Sequence, residues 1–182
     1  MKVLLILMSF CTYAAMGQNL SQKQQIADAI LALDEGDRND ATVMGYDKND
    51  VFKVIKTGTN NLICLADNPK QEGFSVACYH KNLDPFMARG RALKAEGKSR
   101  GEIEKIREEE AKAGKLIMPE KASTLYVLSG ETKEDAKLRW VVYIPWATAE
   151  SSGLPIRPMS AGAPWIMFPG TYRAHIMITP PQ

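Results

Sequence analysis

Histidine and cysteine are scarce in this chain, at two and three residues in 182. Zinc sites built from CxxC pairs are excluded, because Cys64 and Cys78 each stand alone. There is no GxxxxGK[ST] loop to cradle phosphates, no GxGxxG turn and no HExxH helix. An excess of one charge is missing too. The 23 Lys and Arg residues, less Lys2 of the N-terminal segment, face 21 Asp and Glu. Nucleic acid is not expected as a partner, since it requires a clustered basic footprint. Outside Val3–Phe10, no apolar run approaches the roughly 20 residues of a membrane span.

What is present begins with an export pattern. Lys2 is a short positive region, Val3–Phe10 an apolar one, and Ala15-Met16-Gly17 a small-residue cleavage site. Residues 1–17 are expected to be a cleaved signal peptide and residues 18–182 a single soluble domain, periplasmic or extracellular. A lipoprotein anchored at Cys11 is opposed by the bulky Phe10 before it. Cleavage at that site leaves Cys64 and Cys78. In an exported domain they form either one disulfide or two buried thiols. A hairpin centred on Gln71 would set them directly opposite, about 4.5–5.5 Å apart at Cα, within disulfide reach.

The periodicity of the remainder alternates between two classes. Ser21 and Gln24 have capping-box form ahead of Ile26, Ala29, Ile30 and Leu33 at helical spacing. Short strands are expected over 41–46, 51–56, 62–66 and 74–80, separated by turn clusters. Asp84-Pro85 reads as an N-cap and first helical residue, with Gly97 closing the helix. Ser99 and Glu102 open a charged helix to about Ala113, in which Glu108, Glu109 and Glu110 read as a solvated face. Strands follow over 124–128 and 138–144, the latter apolar on both faces and therefore central. The stretch 145–170 is irregular and rich in Pro, Gly and Ser, and a last strand covers 172–178. The fold class expected is α+β: an antiparallel sheet of six or seven strands, with an N-terminal helix and a central two-helix segment packed on it.

Two segments carry candidate chemistry. At the strand-to-helix junction stand His80, Asp84, Arg89 and Arg91, an arrangement suited to a small anion; the alternative is that Asp84 only caps and the rest pack or are solvated. Near the C-terminus stand Trp165, Tyr172, Arg173 and His175, with Arg173, His175 and Met177 on one strand face. Trp146, Trp165 and Phe168 would supply an apolar wall. The leading expectation is an exported domain that binds a small ligand, an anion being one candidate, at a site combining His80, Arg89 and Arg91 with the 145–172 loop and His175, with His80, Arg89 and His175 lining one cavity. One alternative is a hydrolase or lyase using His80 or His175 as acid–base group. Another is a copper carrier using both histidines with Met87, Met159, Met167 or Met177. No cofactor is implied, and an unidentified small molecule is the expected partner.

Overall fold

The computed structural model describes residues 20–181, so the segment assigned to the signal peptide lies outside the described residues. The first helix, α1 (Gln22–Ala29), starts where expected: Ser21 Oγ accepts from the Gln24 amide at 3.2 Å. A 3-10 turn, Ile30–Ala32, extends it. The polar segment that follows holds one short helix, α2 (Glu35–Arg38). Four strands come next: β1 (Thr42–Tyr46), β2 (Phe52–Lys56), β3 (Leu62–Leu65) and β4 (Phe74–His80). Then come α3 (Asp84–Ala95) and α4 (Arg100–Lys112), the latter with the complete Ser99–Glu102 capping box. The hairpin β5 (Ser123–Gly130) and β6 (Lys137–Tyr143) is followed by the four-residue α5 (Ala149–Ser152), β7 (Trp165–Met167) and β8 (His175–Ile178).

Among the described residues, these strands form one sheet in the order β2-β1-β3-β4-β5-β6-β8-β7. The class is α+β, but the sheet has eight strands rather than six or seven. The additional strand, β7, is three residues long between Pro164 and Pro169, too short to show a period. The sheet is also not wholly antiparallel, because β1 and β3 pair in parallel. The chain leaves β2, crosses the start of β1 and enters β3 on the far side. Gly58 permits this crossing: a Cβ there would strike the backbone of Asp40, Ala41 and Thr42. The amides of Thr59 and Asn60 then donate to the Asp40 carbonyl at 2.8 and 3.0 Å.

Each sheet face carries its own core. Ala29, Ala32 and Leu33 pack onto Val43, Cys64, Val76 and Cys78 on one side. Gln25, buried at the edge of this layer, accepts from the Tyr46 amide and donates to its carbonyl, which docks α1 on β1. On the other side Leu83 and Phe86 pack onto Tyr79, Leu125, Val141 and Tyr143, with Tyr172 beside them. Strand β6 is central, between β5 and β8, yet it is not covered along both faces: Trp140 remains 38% exposed. Cys64 and Cys78 are directly opposite on β3 and β4 and form a disulfide, with Cα atoms 4.0 Å apart. No helix among the described residues is long and apolar enough to cross a membrane.

Candidate functional site

A cleft of about 690 Å³ opens between α3, α4 and the β6-β8-β7 end of the sheet. Its apolar lining comes from Phe86, Met87, Ile103, Tyr143, Met167 and Phe168. Its charged lining is one-sided: Arg91, Lys94, Lys98, Arg100, Arg107 and Arg173 against the single carboxylate Glu104. Glu104 is already engaged, by Arg173 at 2.8 Å and Arg100 at 3.3 Å. Burial opposes its ionisation, but these two guanidiniums outweigh burial and hold its pKa below the ordinary carboxylate value. Arg91 is paired with Asp84 at 3.1 Å and Lys98 with Glu102 at 3.9 Å. Arg107 has no carboxylate within ion-pair distance among the described residues.

Arg107 is the least compensated cation of the cleft. Its guanidinium lies over the Phe86 ring, 4.1 Å from the centroid, and its only hydrogen bond among the described residues is a long one of 3.4 Å to the Phe86 carbonyl. The Nε–H is buried with no acceptor. Burial lowers the pKa of this guanidinium, though an arginine stays cationic throughout the physiological range. Room for it comes from Gly90, in the middle of α3, where a Cβ would stand 2.9 Å from Arg107 Nη1. Glycine inside a helix costs about 1 kcal/mol relative to alanine. Across the cleft the Arg173 guanidinium covers the Phe168 ring at 3.7 Å. Phe168 holds φ at +53°, a left-handed backbone that costs a bulky residue about 1–2 kcal/mol.

His175 closes the floor of the cleft. It is 7% exposed and stands between the rings of Tyr143 (5.0 Å) and Phe168 (5.8 Å). Its Nδ1 is 2.7 Å from the Arg173 carbonyl. A carbonyl only accepts, so Nδ1 carries the proton and Nε2 of the neutral ring is an acceptor. Burial, joined by the Arg173 charge, lowers the pKa below 6.5 against the opposing effect of that hydrogen bond, so the ring is neutral at pH 7.

Comparison with protein-family models, curated proteins and solved structures found no match.

Of the residues expected from the sequence, Arg91, Arg173 and His175 line the cleft; Asp84 stands outside the lining as the partner of Arg91, and the others lie elsewhere. His80 shares the Cys78 face of β4 by strand alternation, whereas His175 pairs with Tyr143 on the α3–α4 face, so no cavity holds both histidines. Asp84 does not cap α3. The 3-10 turn Lys81–Leu83 runs straight into the helix, and His80 caps that turn instead, its Nδ1 accepting from the Asn82 amide at 3.2 Å. Asp84 Oδ1 accepts from the Tyr79 hydroxyl at 2.7 Å and from Arg91. Arg89 turns to α4 and grips Glu110 through two nitrogens, so Glu110 belongs to a helix–helix tie and not to a solvated face.

Trp165 stands on the sheet face of Met167 but outside the lining, where Phe168 serves in its place; Trp146 is 45% exposed elsewhere. The expected strand over 172–178 begins only at His175. Its first three residues form a turn, Ala174 amide to Thr171 carbonyl, which lets Tyr172 swing under α4 and donate to the Glu104 carbonyl at 3.1 Å. Arg107, Glu104 and Gly90 were not singled out from the sequence. A glycine inside an amphipathic helix was the one available signal. One spacing that the sequence reading passed over is structural. Gly97-Lys98-Ser99-Arg100-Gly101 has GxSxG spacing, but Ser99 is the N-cap of α4 between two helices, its hydroxyl bonded to Glu102. A nucleophile elbow requires a strand-to-helix turn.

Proposed function

We propose that this chain is an exported binding domain for a small organic anion with an apolar body, held in the α3–α4 cleft. The observation that carries the reading is Arg107: a half-buried guanidinium with its Nε–H buried and unmet and no carboxylate partner among the described residues, in a cleft of six cations and one acid. A fold that needed the charge only for packing would leave it paired, because an unmet buried donor costs about 1–3 kcal/mol. Mainly apolar walls with a few convergent polar groups are the usual composition of a small-molecule site. The export component rests on the pattern of residues 1–17 and is supported by the disulfide, a bond that oxidising compartments favour.

A hydrolase or lyase would draw on the same neutral His175. The cleft lining contains no Ser, Thr or Cys to act as nucleophile, which favours binding over catalysis. The copper reading needed both histidines in one site, and they lie on opposite faces of the sheet. Titration calorimetry with phenylacetate, benzyl alcohol and benzylamine tests the proposal, since the three share a ring and differ in charge. Phenylacetate alone is expected to bind, more weakly as salt rises. Equal binding of benzylamine would remove the proposal.

A further inference from the structure

The orientation of His175 adds a demand that the cations do not make. Every charged group lining the cleft except Glu104 is a donor, and Glu104 is occupied by two arginines. A ligand that offers only acceptors would satisfy the arginines and lysines. It would leave His175 Nε2 facing it as an acceptor opposite an acceptor. The tautomer cannot reverse cheaply, because moving the proton to Nε2 would set the Nδ1 lone pair against the Arg173 carbonyl at 2.7 Å. A ligand seated in the cleft displaces the water that otherwise serves this nitrogen, because His175 is part of the lining. The nitrogen therefore asks the ligand for a proton-bearing atom.

We infer that the cleft selects a hydroxy-acid: an organic carboxylate with a hydroxyl close to it, the carboxylate against the Arg107 side and the hydroxyl donating to His175 Nε2. This rests on the anion-binding reading above and narrows it to a ligand class. Histidine thus acts as the specificity determinant, while arginine supplies the affinity. An acceptor that loses its water to the ligand and gains no donor in return penalises the analogue that lacks the hydroxyl. The charged and titratable groups around the imidazole are Tyr143 from β6, Arg173 from the turn ahead of β8, Glu104 and Arg107 from α4, and Arg91 from α3. Of these, His175 is the imidazole, and burial lowers its pKa from the ordinary histidine value.

The matched pair for the test is mandelate and phenylacetate, which differ only by a hydroxyl on the carbon beside the carboxylate. Calorimetry on the full-length chain, with each enantiomer of mandelate separately, is expected to show at least one enantiomer binding about three- to tenfold tighter than phenylacetate, the worth of one hydrogen bond. In His175→Phe, whose ring fits between Tyr143 and Phe168, the preference should vanish while phenylacetate still binds. Nitrogen NMR of the unsubstituted protein gives a second reading that needs no variant. Binding of mandelate should shift Nε2 as a hydrogen-bond acceptor and leave the proton on Nδ1. The preference should also narrow as the pH is lowered through the imidazole titration, since imidazolium Nε2 becomes a donor and binds either carboxylate.

The two levels of inference fail differently. If both acids bind with equal affinity and Arg107→Met weakens both, anion binding stands and the hydroxy-acid inference falls. A proton found on Nε2 in the mandelate complex overturns it as well. If neither acid binds, the cleft is not an anion site and both readings fall together.

Discussion

Replacing Arg107 by Met separates a binding residue from a structural one, because the two roles predict opposite changes in stability. The arginine contributes a cation–π contact with Phe86 worth about 1 kcal/mol. Against this stands the buried Nε–H without an acceptor, a cost of about 1–3 kcal/mol. Methionine keeps an apolar stem over the ring and regains about 0.3–1.5 kcal/mol as a sulfur–aromatic contact. It leaves no orphan, since the Phe86 carbonyl lies inside α3 and the lost bond was a long 3.4 Å. The net expectation runs from about neutral to about 3 kcal/mol more stable. At about 2–4 °C per kcal/mol for a domain of this size, Tm should hold or rise by several degrees in scanning calorimetry. Phenylacetate affinity should fall about ten- to hundredfold in the same variant, the worth of a charge-assisted hydrogen bond. Arg89→Met is the control. It breaks the Glu110 tie outside the cleft and should lower Tm while leaving affinity unchanged. Loss of stability in Arg107→Met with affinity intact would refute the reasoning and make Arg107 a packing residue.

Two further outcomes follow from the fold. Reducing the Cys64–Cys78 bond frees a loop of 14 residues' separation and should cost about 3 kcal/mol in urea denaturation, by the loop-entropy account. Both cysteines are wholly buried, so thiol labelling with reductant present should proceed only as the protein unfolds; rapid labelling of the native state would contradict the burial. The lowered pKa of His175 makes the unfolded chain the better proton acceptor below 6.5. Stability is therefore complete above that pH and declines on acidification until the folded imidazole itself titrates. A Tm-against-pH series should lose this segment in His175→Phe, and an unchanged slope would show that another group is responsible.

The parts of the fold legible in the sequence are those where a local rule decided the outcome. The Ser21 N-cap placed the start of α1, although the Gln24 side chain turns to Asp28 and completes no box there; the Ser99–Glu102 box placed α4, and turn clusters separated β1 to β4. A hairpin centred on Gln71 is the register that sets Cys64 against Cys78, and β3 and β4 adopt it. Where tertiary packing decided, local signals misled. Asp84 had every attribute of an N-cap, but the preceding 3-10 turn had already aligned the backbone and left its carboxylate free for Tyr79 and Arg91. Tyr172 read as the first residue of a strand, and a turn at Thr171–Ala174 sent it into the core. Arg107 was invisible for a related reason: in a helix of alternating Glu, Lys and Arg, nothing local distinguishes the arginine that faces the sheet.

The two histidines show how face, and not residue type, assigns a role. Both sit at the end of or within a strand, and both make one hydrogen bond through Nδ1 to the backbone within two residues. At His80 the partner is an N–H, so Nδ1 accepts and the proton is driven to Nε2. At His175 the partner is a carbonyl, so Nδ1 donates and Nε2 is left as the acceptor. Alternation then decides what each ring meets. His80 lies on the Cys78 side of the sheet, where its Nδ1 caps the turn that leads into α3. His175 lies on the Tyr143 side, where α3 and α4 roof the sheet and the cations converge. The buried imidazole with an open acceptor is thus the one in the cleft where six cations face a single lining acid. The proposed ligand recognition rests on that coincidence of tautomer and charge at His175, whereas His80 caps the turn ahead of α3.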